Sequence, residues 1–345
     1  MGKYNARIGI ISIISILLII FVFAMPQIFA FTIEHQNKLT ISKQTAQSQS
    51  TIPLADQFAM TFPVTVDPKN KIITENTQVD TYLANNHSLL GASVIDAGVF
   101  VWNIFKNAAV AISNAPIYQN LASVANIDNH FVTIKPGMRK EQVATAFGDA
   151  LGWTNSERKG LLTLNEGSFA PGDYVVTSSM KPEDVKNLVS DRFSQDILSH
   201  YGTSTQEIVP LNEALTIASI IQRETISTDG MRLLSGIIWN RLFANMNLQI
   251  DSTLQYAKAN TTTTGSWWPD VTPQDKYIRS PFNTYLHAGL PPSPISSPSV
   301  AAILAALNPI KTPCLFYFND KVGVFHCSTT YAQHIKLLKE YYGIL

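Results

Sequence analysis

The sequence predicts an α+β protein, with an N-terminal transmembrane helix, a small α+β subdomain and a larger C-terminal α+β domain. Three observations carry this. Residues 8–31 contain no charged side chain. Further on, stretches with apolar residues three and four apart alternate with short strand-like runs beside Gly/Pro turns. The 345 residues also exceed one average domain of about 150. Hydrophobic residues at 46% are enough to build a core. The 25 basic and 25 acidic side chains cancel, which excludes a general nucleic-acid binder, since that needs a basic excess. Two cysteines exclude a disulfide-dense scaffold and any multi-cysteine metal site.

The first element is the run IGIISIISILLIIFVFAM, from Ile8. About 20 apolar residues at 1.5 Å each span the roughly 30 Å hydrocarbon core. Lys3 and Arg7 precede it and Glu34 is the first charge after it, so residues 1–7 are expected in the cytoplasm and the body outside it. A cleaved signal peptide ending at Ala30 is the competing reading. The run is longer than the roughly 7–15 residues of a signal h-region, which favours an uncleaved anchor over 8–31.

Residues 32–128 hold a polar linker (KLTISKQTAQSQST) and a region without an assigned role. Val94–Ser113 is apolar but interrupted by Asp96, Asn103, Lys106 and Asn107, so a buried or amphipathic helix is expected rather than a second span. A small unit follows over 129–204. Phe131–Ile134 reads as a strand, Lys135-Pro136-Gly137 as a turn, and Val143, Phe147 and Leu151 as one helix face. EGSFAPGDYVV reads as a turn running into a strand, and Pro182-Glu183-Asp184 opens a helix that buries Val185, Leu188, Val189 and Phe193. The C-terminal domain occupies 205–345. In it, CLFYFNDKVGVFHC reads as two strands around a turn at Asp320-Lys321. Cys314 and Cys327 then form either a cross-strand disulfide or two buried thiols, and the residues leave both open.

One residue stands out chemically. In the helix PLNEALTIASIIQRETIS, with Ile217 at zero, Ile220 falls at about −60°, Ile221 at about +40° and Glu224 at about −20°. Glu224 thus lies inside an isoleucine stripe, with Thr216, Ser219, Gln222 and Arg223 opposite. A carboxylate on an apolar face should have a raised pKa, as a general acid at neutral pH requires. Glu213 shares the azimuth, but the helix dipole of the first turn should keep it ionised. No HExxH, GxSxG, P-loop or GxGxxG signature occurs in a suitable setting, and the seven histidines are scattered. Neither cysteine has the cationic neighbourhood of a thiol nucleophile.

Met231–Phe243 is an amphipathic helix able to back the first one. Gln249 and Asp251 follow it, with Asp251 placed to cap a helix from Ser252. Asn283 and Tyr285 sit in a Pro/Gly-rich loop. Ser297-Pro298 reads as a helix start and Asn308-Pro309 as that helix's end.

ASIIQRET (218–225), NRL (240–242), LQIDSTLQYA (248–257), SPFNTYLHAGLPPSPISSPS (280–299), AALNP (305–309) and STTYAQH (328–334) follow one another in fixed order. This succession resembles the endolytic murein transglycosylases, the MltG or YceG-like family, across 205–345. IKPGM and EGSFAPGDY extend the resemblance more weakly to that family's LysM-like subdomain. The resemblance implies that Glu224 is the single catalytic residue. The second glutamate that many members carry two residues earlier is Gln222 here. It further implies non-hydrolytic cleavage of MurNAc-GlcNAc bonds in nascent peptidoglycan glycan strands. Glu224 would protonate the leaving oxygen, then take the proton of the muramoyl C6 hydroxyl as a 1,6-anhydro end closes. No metal or organic cofactor is implied. Candidate sugar contacts are Gln249, Asp251, Asn283, Tyr285 and Asn308. Implied partners are glycan strands and, next to them, peptidoglycan synthases and other cell-wall machinery, at the cytoplasmic membrane. A non-catalytic peptidoglycan-binding scaffold is the alternative, and retention of Glu224 on an apolar face speaks against it. Gln333-His334-Ile335 departs from the usual Glu-His-Asn, which bears on groove support and not on the acid.

Overall fold

A computed structural model describes residues 24–32, 61–85, 107–113, 115, 129–225, 227–261 and 265–343. Among these, helices combine with three separate two-stranded antiparallel sheets, an α+β architecture. Residues 24–32 are helical, and no described helix is long and apolar enough to cross a membrane; residues 8–23 of the apolar run lie outside the described ones. Residues 107–113 are helical too, and the start of the Val94–Ser113 stretch lies outside the described residues. Phe29 and Ala30 pack with Ala109 and with Phe131 of the small unit.

The larger core forms around the helix that carries Glu224. Its elements are the hairpin β1 (Val66–Asp67) and β2 (Ile72–Ile73) and the helix α1 (Thr77–Asn85). The small unit intervenes with β3 (His130–Ile134), α2 (Lys140–Ala150), α3 (Asn155–Leu161), β4 (Gly172–Val176) and α4 (Pro182–Asp196). Then come α5 (Thr203–Ile208), α6 (Leu211–Glu224), α7 (Thr228–Phe243), α8 (Asp251–Thr261), α9 (Val300–Leu307), β5 (Phe316–Asn319), β6 (Phe325–Ser328) and α10 (Tyr331–Tyr342). Residues 61–85 carry no recognisable motif, yet they belong to this core. Phe62, Val66, Ile73, Val79 and Leu83 are buried with α6 and α9, and Asn308 Nδ2 donates to the Pro63 carbonyl at 2.8 Å. Arg232 adds an ion pair to Asp80 at 2.6 Å.

The expected polar face of α6 is absent. Every residue from Ala214 to Ile221 is buried, including Thr216 and Ser219. These two fit because their hydroxyls bond back into the helix, Thr216 to the Asn212 carbonyl (2.6 Å) and Ser219 to the Thr216 carbonyl (2.8 Å). Ser219 Oγ also accepts the Ile295 N–H at 3.0 Å. Gln222 accepts the N–H and the hydroxyl of Ser299, the residue that caps α9 through the Ala302 N–H. The start of α9 is therefore Ser299 and not Ser297, whose backbone pairs with the small unit instead. Glu213 also departs from expectation. Partial burial raises its pKa, so desolvation outweighs the helix dipole there.

The small unit runs strand, helix, helix, strand, with β3 and β4 antiparallel from His130↔Val176 to Ile134↔Gly172. Val132, Ile134, Val143, Phe147, Tyr174, Val185 and Val189 fill its own core. Its two turn motifs form the joint with the larger body. Gly137 N–H donates to the Ser297 carbonyl and Ser297 N–H to the Met138 carbonyl, both at 2.8 Å. Gly167 has φ +83°, and a Cβ there would lie 2.6 Å from Pro294, so only glycine lets the two chains approach. Beside them Arg139 is 2% exposed, pairs with Glu141 at 3.2 Å and lies over the Tyr256 ring at 4.2 Å.

Glu166 is buried in this joint. Its Oε1 accepts the Lys140 N–H at 3.0 Å, while Oε2 has no partner. Burial, then the nearby Glu141 charge, push its pKa up to about 8 from 4.5. The folded chain therefore holds a proton that the unfolded chain releases between those values. The stability due to this group is complete below about pH 4.5 and declines as pH rises toward 8. Glu166→Gln keeps the Lys140 acceptor and removes the titration. Denaturant unfolding should show the wild type losing up to about 1.4 kcal/mol more per pH unit across this window than the variant.

Candidate active site

Glu224 is the last residue of α6, and Thr225 leaves the helix in an extended conformation (φ −152°). The side chain therefore projects from a helix end into a cleft of about 430 Å³. Glu224 Oε1 accepts the N–H of Ser252, in the first turn of α8, at 3.2 Å. Oε2 accepts the phenol O–H of Tyr317, on β5, at 3.1 Å. Burial raises the pKa of Glu224, the Asp251 charge adds to the rise, and the Ser252 and Tyr317 hydrogen bonds oppose it. Burial and the Glu224 charge hold the Tyr317 phenol well above its ordinary pKa, so it keeps its proton and stays neutral.

Two further structures shape the walls. Arg241, in the NRL motif of α7, is buried and donates through Nε to the Leu315 carbonyl at 2.6 Å and through Nη1 to the Leu248 carbonyl. The adjacent Asn240 donates to the carbonyls of Thr312 (2.7 Å) and Cys314 (3.1 Å). This motif thus clamps the entry to the β5–β6 hairpin and the loop before α8. Cys314 and Cys327 form a disulfide, which settles the alternative left by the sequence. The hairpin turns around Val322 and not at Asp320-Lys321, because Asp320 accepts the Val322 and Val324 amides. Cys327 consequently sits opposite Tyr317, and Cys314 precedes the strand. Phe316 stacks on His334 of α10 at 5.6 Å, which closes the aromatic wall.

The structure brings Glu224, Gln249, Asp251 and Tyr285 into this one cleft. Tyr285 donates to Asp251 Oδ1 at 2.6 Å, and Lys276 Nζ lies 4.7 Å from the Tyr285 ring centre. Asp251 does not cap α8: it is the helix's first residue, and the Ser252 N–H goes to Glu224. Gln249 is exposed with φ +50°, a left-handed backbone that is costly for a non-glycine residue and turns the chain sharply into the cleft. Asn283 and Asn308, candidates for sugar contact, are both 0% exposed and lie outside the cleft lining. Asn283 Nδ2 donates to the Lys276 and Ile278 carbonyls and its Oδ1 accepts the Tyr285 N–H, so it shapes the loop that carries Tyr285. Asn308 ends α9 and ties it to Pro63 and Leu304. Their amides serve backbone groups, which a loop sequence rich in Pro and Gly does not distinguish from ligand contact.

Sequence reasoning missed Tyr317, Arg241, Lys276 and His334. For Arg241 the signal was present, since NRL stood out as a motif without a role. Tyr317 carried only the weak signal of a phenol in an apolar strand. Of the C-terminal departures, Gln333 completes the capping box of Thr330 at the start of α10 by accepting the Thr330 N–H, while Ile335, with the unchanged His334, lines the cleft. Burial, then the Arg241 charge, lowers the His334 pKa.

Residues 69–340 match the YceG-like family. An endolytic murein transglycosylase of Streptococcus pneumoniae (strain D39) is 32% identical over 155 residues, 45% of this chain and 28% of that protein. One from Bacillus subtilis (strain 168) is 26% identical over 234 residues, 68% of this chain and 61% of that protein. The chain therefore spans less than two thirds of the length of these curated relatives. The crystal structure of a YceG-like protein from Listeria monocytogenes superposes with a TM-score of 0.53 at 22% identity, covering 64% of this chain and 80% of that one. That likeness extends to the fold.

Two outcomes test the supporting roles. Asn283→Ala strands buried carbonyls and the Tyr285 amide, and should cost about 2–3 kcal/mol in denaturant unfolding. Replacing Cys314 and Cys327 by Ser opens a link across 13 residues of sequence. Chain entropy then predicts a loss of about 3 kcal/mol, read as a lower melting temperature that reductant no longer changes.

Proposed function

The chain belongs to the YceG-like family, and we propose that it is an endolytic peptidoglycan lytic transglycosylase with Glu224 as its single acid and base. The observation that carries this reading is the placement of Glu224: a carboxyl with a pKa raised by burial, held by Ser252 and Tyr317 at one side of an open cleft. A raised pKa keeps the proton available for a leaving oxygen near neutrality. The names of the pneumococcal and Bacillus relatives support murein as the polymer.

The reaction needs one carboxyl used twice. Glu224 gives its proton to the glycosidic oxygen as the C1–O bond breaks and the electron pair leaves with the next sugar. The carboxylate then takes the proton of the muramoyl C6 hydroxyl while that oxygen bonds to C1, giving a 1,6-anhydro end. Phe316, Phe318 and Tyr331 offer aromatic faces, and Gln249 and Lys276 polar groups, to sugar rings in the cleft. Glycan strands being synthesised are the substrate in this reading, and cleavage ends their growth.

The remaining features join this proposal. The apolar run over 8–31, with Lys3 and Arg7 before it, supports a single-pass anchor that leaves the body outside the cytoplasm, and a disulfide suits that compartment. The strand-helix-helix-strand order of 130–176 supports a LysM-like module. Peptidoglycan synthases are the partners that such a location and substrate suggest.

The test is digestion of purified peptidoglycan by the full chain and by Glu224→Gln, read by mass spectrometry. Anhydro-muramoyl ends are expected from the wild type, with a loss of about 10²-fold or more in the variant. Asp251 is a second carboxylate in the cleft, so reducing ends would instead make the enzyme a hydrolase with Asp251 activating water. No product from a folded wild type that still binds the polymer would leave a scaffold. The acid must be protonated for the first step, so the alkaline limb of the rate profile should lie above the 4.5 of an ordinary glutamate.

A further inference from the structure

The two oxygens of Glu224 are not equivalent. Oε1 faces the Ser252 backbone N–H, which donates and never accepts. A proton pointed at that amide finds no acceptor in it. Oε2 faces a phenol, whose oxygen both donates and accepts and so remains a partner in either protonation state. We propose that Tyr317 is a positioning residue that makes Oε2 the proton-carrying oxygen of Glu224 and stabilises the carboxylate left when the proton departs. This rests on Glu224 being the acid, as proposed above, and assigns what the neighbouring strand does for it.

The fold gives Tyr317 the rigidity this role needs. Its strand pairs with β6 from Phe316↔Ser328 to Asn319↔Phe325, with Cys327 directly opposite Tyr317 and bonded to Cys314. Arg241 holds the Leu315 carbonyl just before the strand, and Tyr317 stacks on Phe325 at 5.4 Å. Asn319 reaches the Glu224 carbonyl at 3.4 Å, so the strand touches the acid's backbone as well. The phenol proton stays on Tyr317 throughout. In the first step the Oε2 proton moves to the glycosidic oxygen and Tyr317 donates to the new carboxylate. In the second, Oε2 receives the C6 hydroxyl proton and Tyr317 turns to accept.

Other charged and titratable groups surround the acid. Arg223 lies beside it on α6, α7 contributes Arg241, α8 Asp251, and α10 His334; Lys276 and Tyr285 come from the intervening segment. Ser252, through its hydroxyl and its amide, and Tyr317, through its phenol, are the groups whose hydrogen bonds lower the Glu224 pKa, and Tyr317→Phe removes the phenol's share alone.

Tyr317→Phe in the full chain is the decisive variant. Removing a charge-assisted bond should raise the Glu224 titration midpoint by about one pH unit, followed by NMR of labelled glutamate. The alkaline limb of the kcat profile should move up by the same amount, and kcat should fall about tenfold with KM nearly unchanged. A folded variant with midpoint and limb at the wild-type positions overturns the proposal. If Tyr317→Phe does not fold, a ring-fluorinated tyrosine at 317, with its more acidic phenol, should move both downward; no movement overturns it equally. The NMR midpoint needs no turnover. Persistent activity of Glu224→Gln would sink Glu224 as the acid proposed above, whereas an inactive Glu224→Gln beside an unshifted Tyr317→Phe sinks this inference alone.

Discussion

The hydrogen bond between the Ser252 amide and the Glu224 carboxyl joins two helix ends, and the cleft is organised about it. Glu224 ends α6, where the helix dipole presents its negative pole, and Ser252 lies in the first turn of α8, where another presents its positive pole. A carboxyl at the end of α6 alone would be driven toward the neutral form by both the dipole and burial. The α8 amide counters that drive without removing it, which leaves a group able to hold a proton and to release it. The all-round burial of α6 follows from the same need. A helix packed against α9, α7 and α8 and buried on every side from Ala214 to Ile221 is held along its length, so its last residue keeps its place.

Around this bond, the chain spends its polar side chains on fixing backbone. Arg241 and Asn240 bind carbonyls on both sides of the cleft, Asn283 folds the Tyr285 loop, Gln222 holds Ser299, the cap of α9, and Asn308 anchors the first residues of the core. Each bond satisfies a carbonyl or amide that would otherwise lie buried and unpaired at a cost of about 1–3 kcal/mol. Such residues fall in the same motifs as those facing the cleft, because a loop of defined shape is as much a requirement of the site as the groups it presents.

This explains what the sequence made legible. Glu224 was selected by helical periodicity because a charged group within an isoleucine stripe violates the pattern, and violations mark sites. The two strands, α2 and α4 of the small unit were legible from their spacing, whereas α3 (Asn155–Leu161), with few apolar residues, was not. The polar face assigned to α6 was not real, since Thr216 and Ser219 satisfy themselves locally and count as small core residues once they do. Asn283 and Asn308 looked like ligand contacts for the opposite reason, since they bond to backbone 2 to 245 residues away and periodicity does not show such partners. Tyr317 was hidden because its meaning depends on the register of β5 against β6, and a turn displaced from Asp320-Lys321 to Val322 changes what faces what.

The same reasoning reaches the joint between the two bodies. IKPGM and EGSFAPG carry no acid, base or nucleophile facing the cleft, yet both motifs sit where the small unit meets α6 and the loop that approaches it. A Cβ at Gly137 would lie 3.2 Å from Arg223, the residue before Glu224, and one at Gly167 would strike Pro294 in the loop that approaches Ser219. Arg223 in turn lies over the Trp268 ring at 3.9 Å, and Trp268 donates to Gln142 in the small unit. Displacing the small unit therefore strains the residue adjacent to Glu224, because the two are linked through a packed, hydrogen-bonded contact rather than a flexible tether.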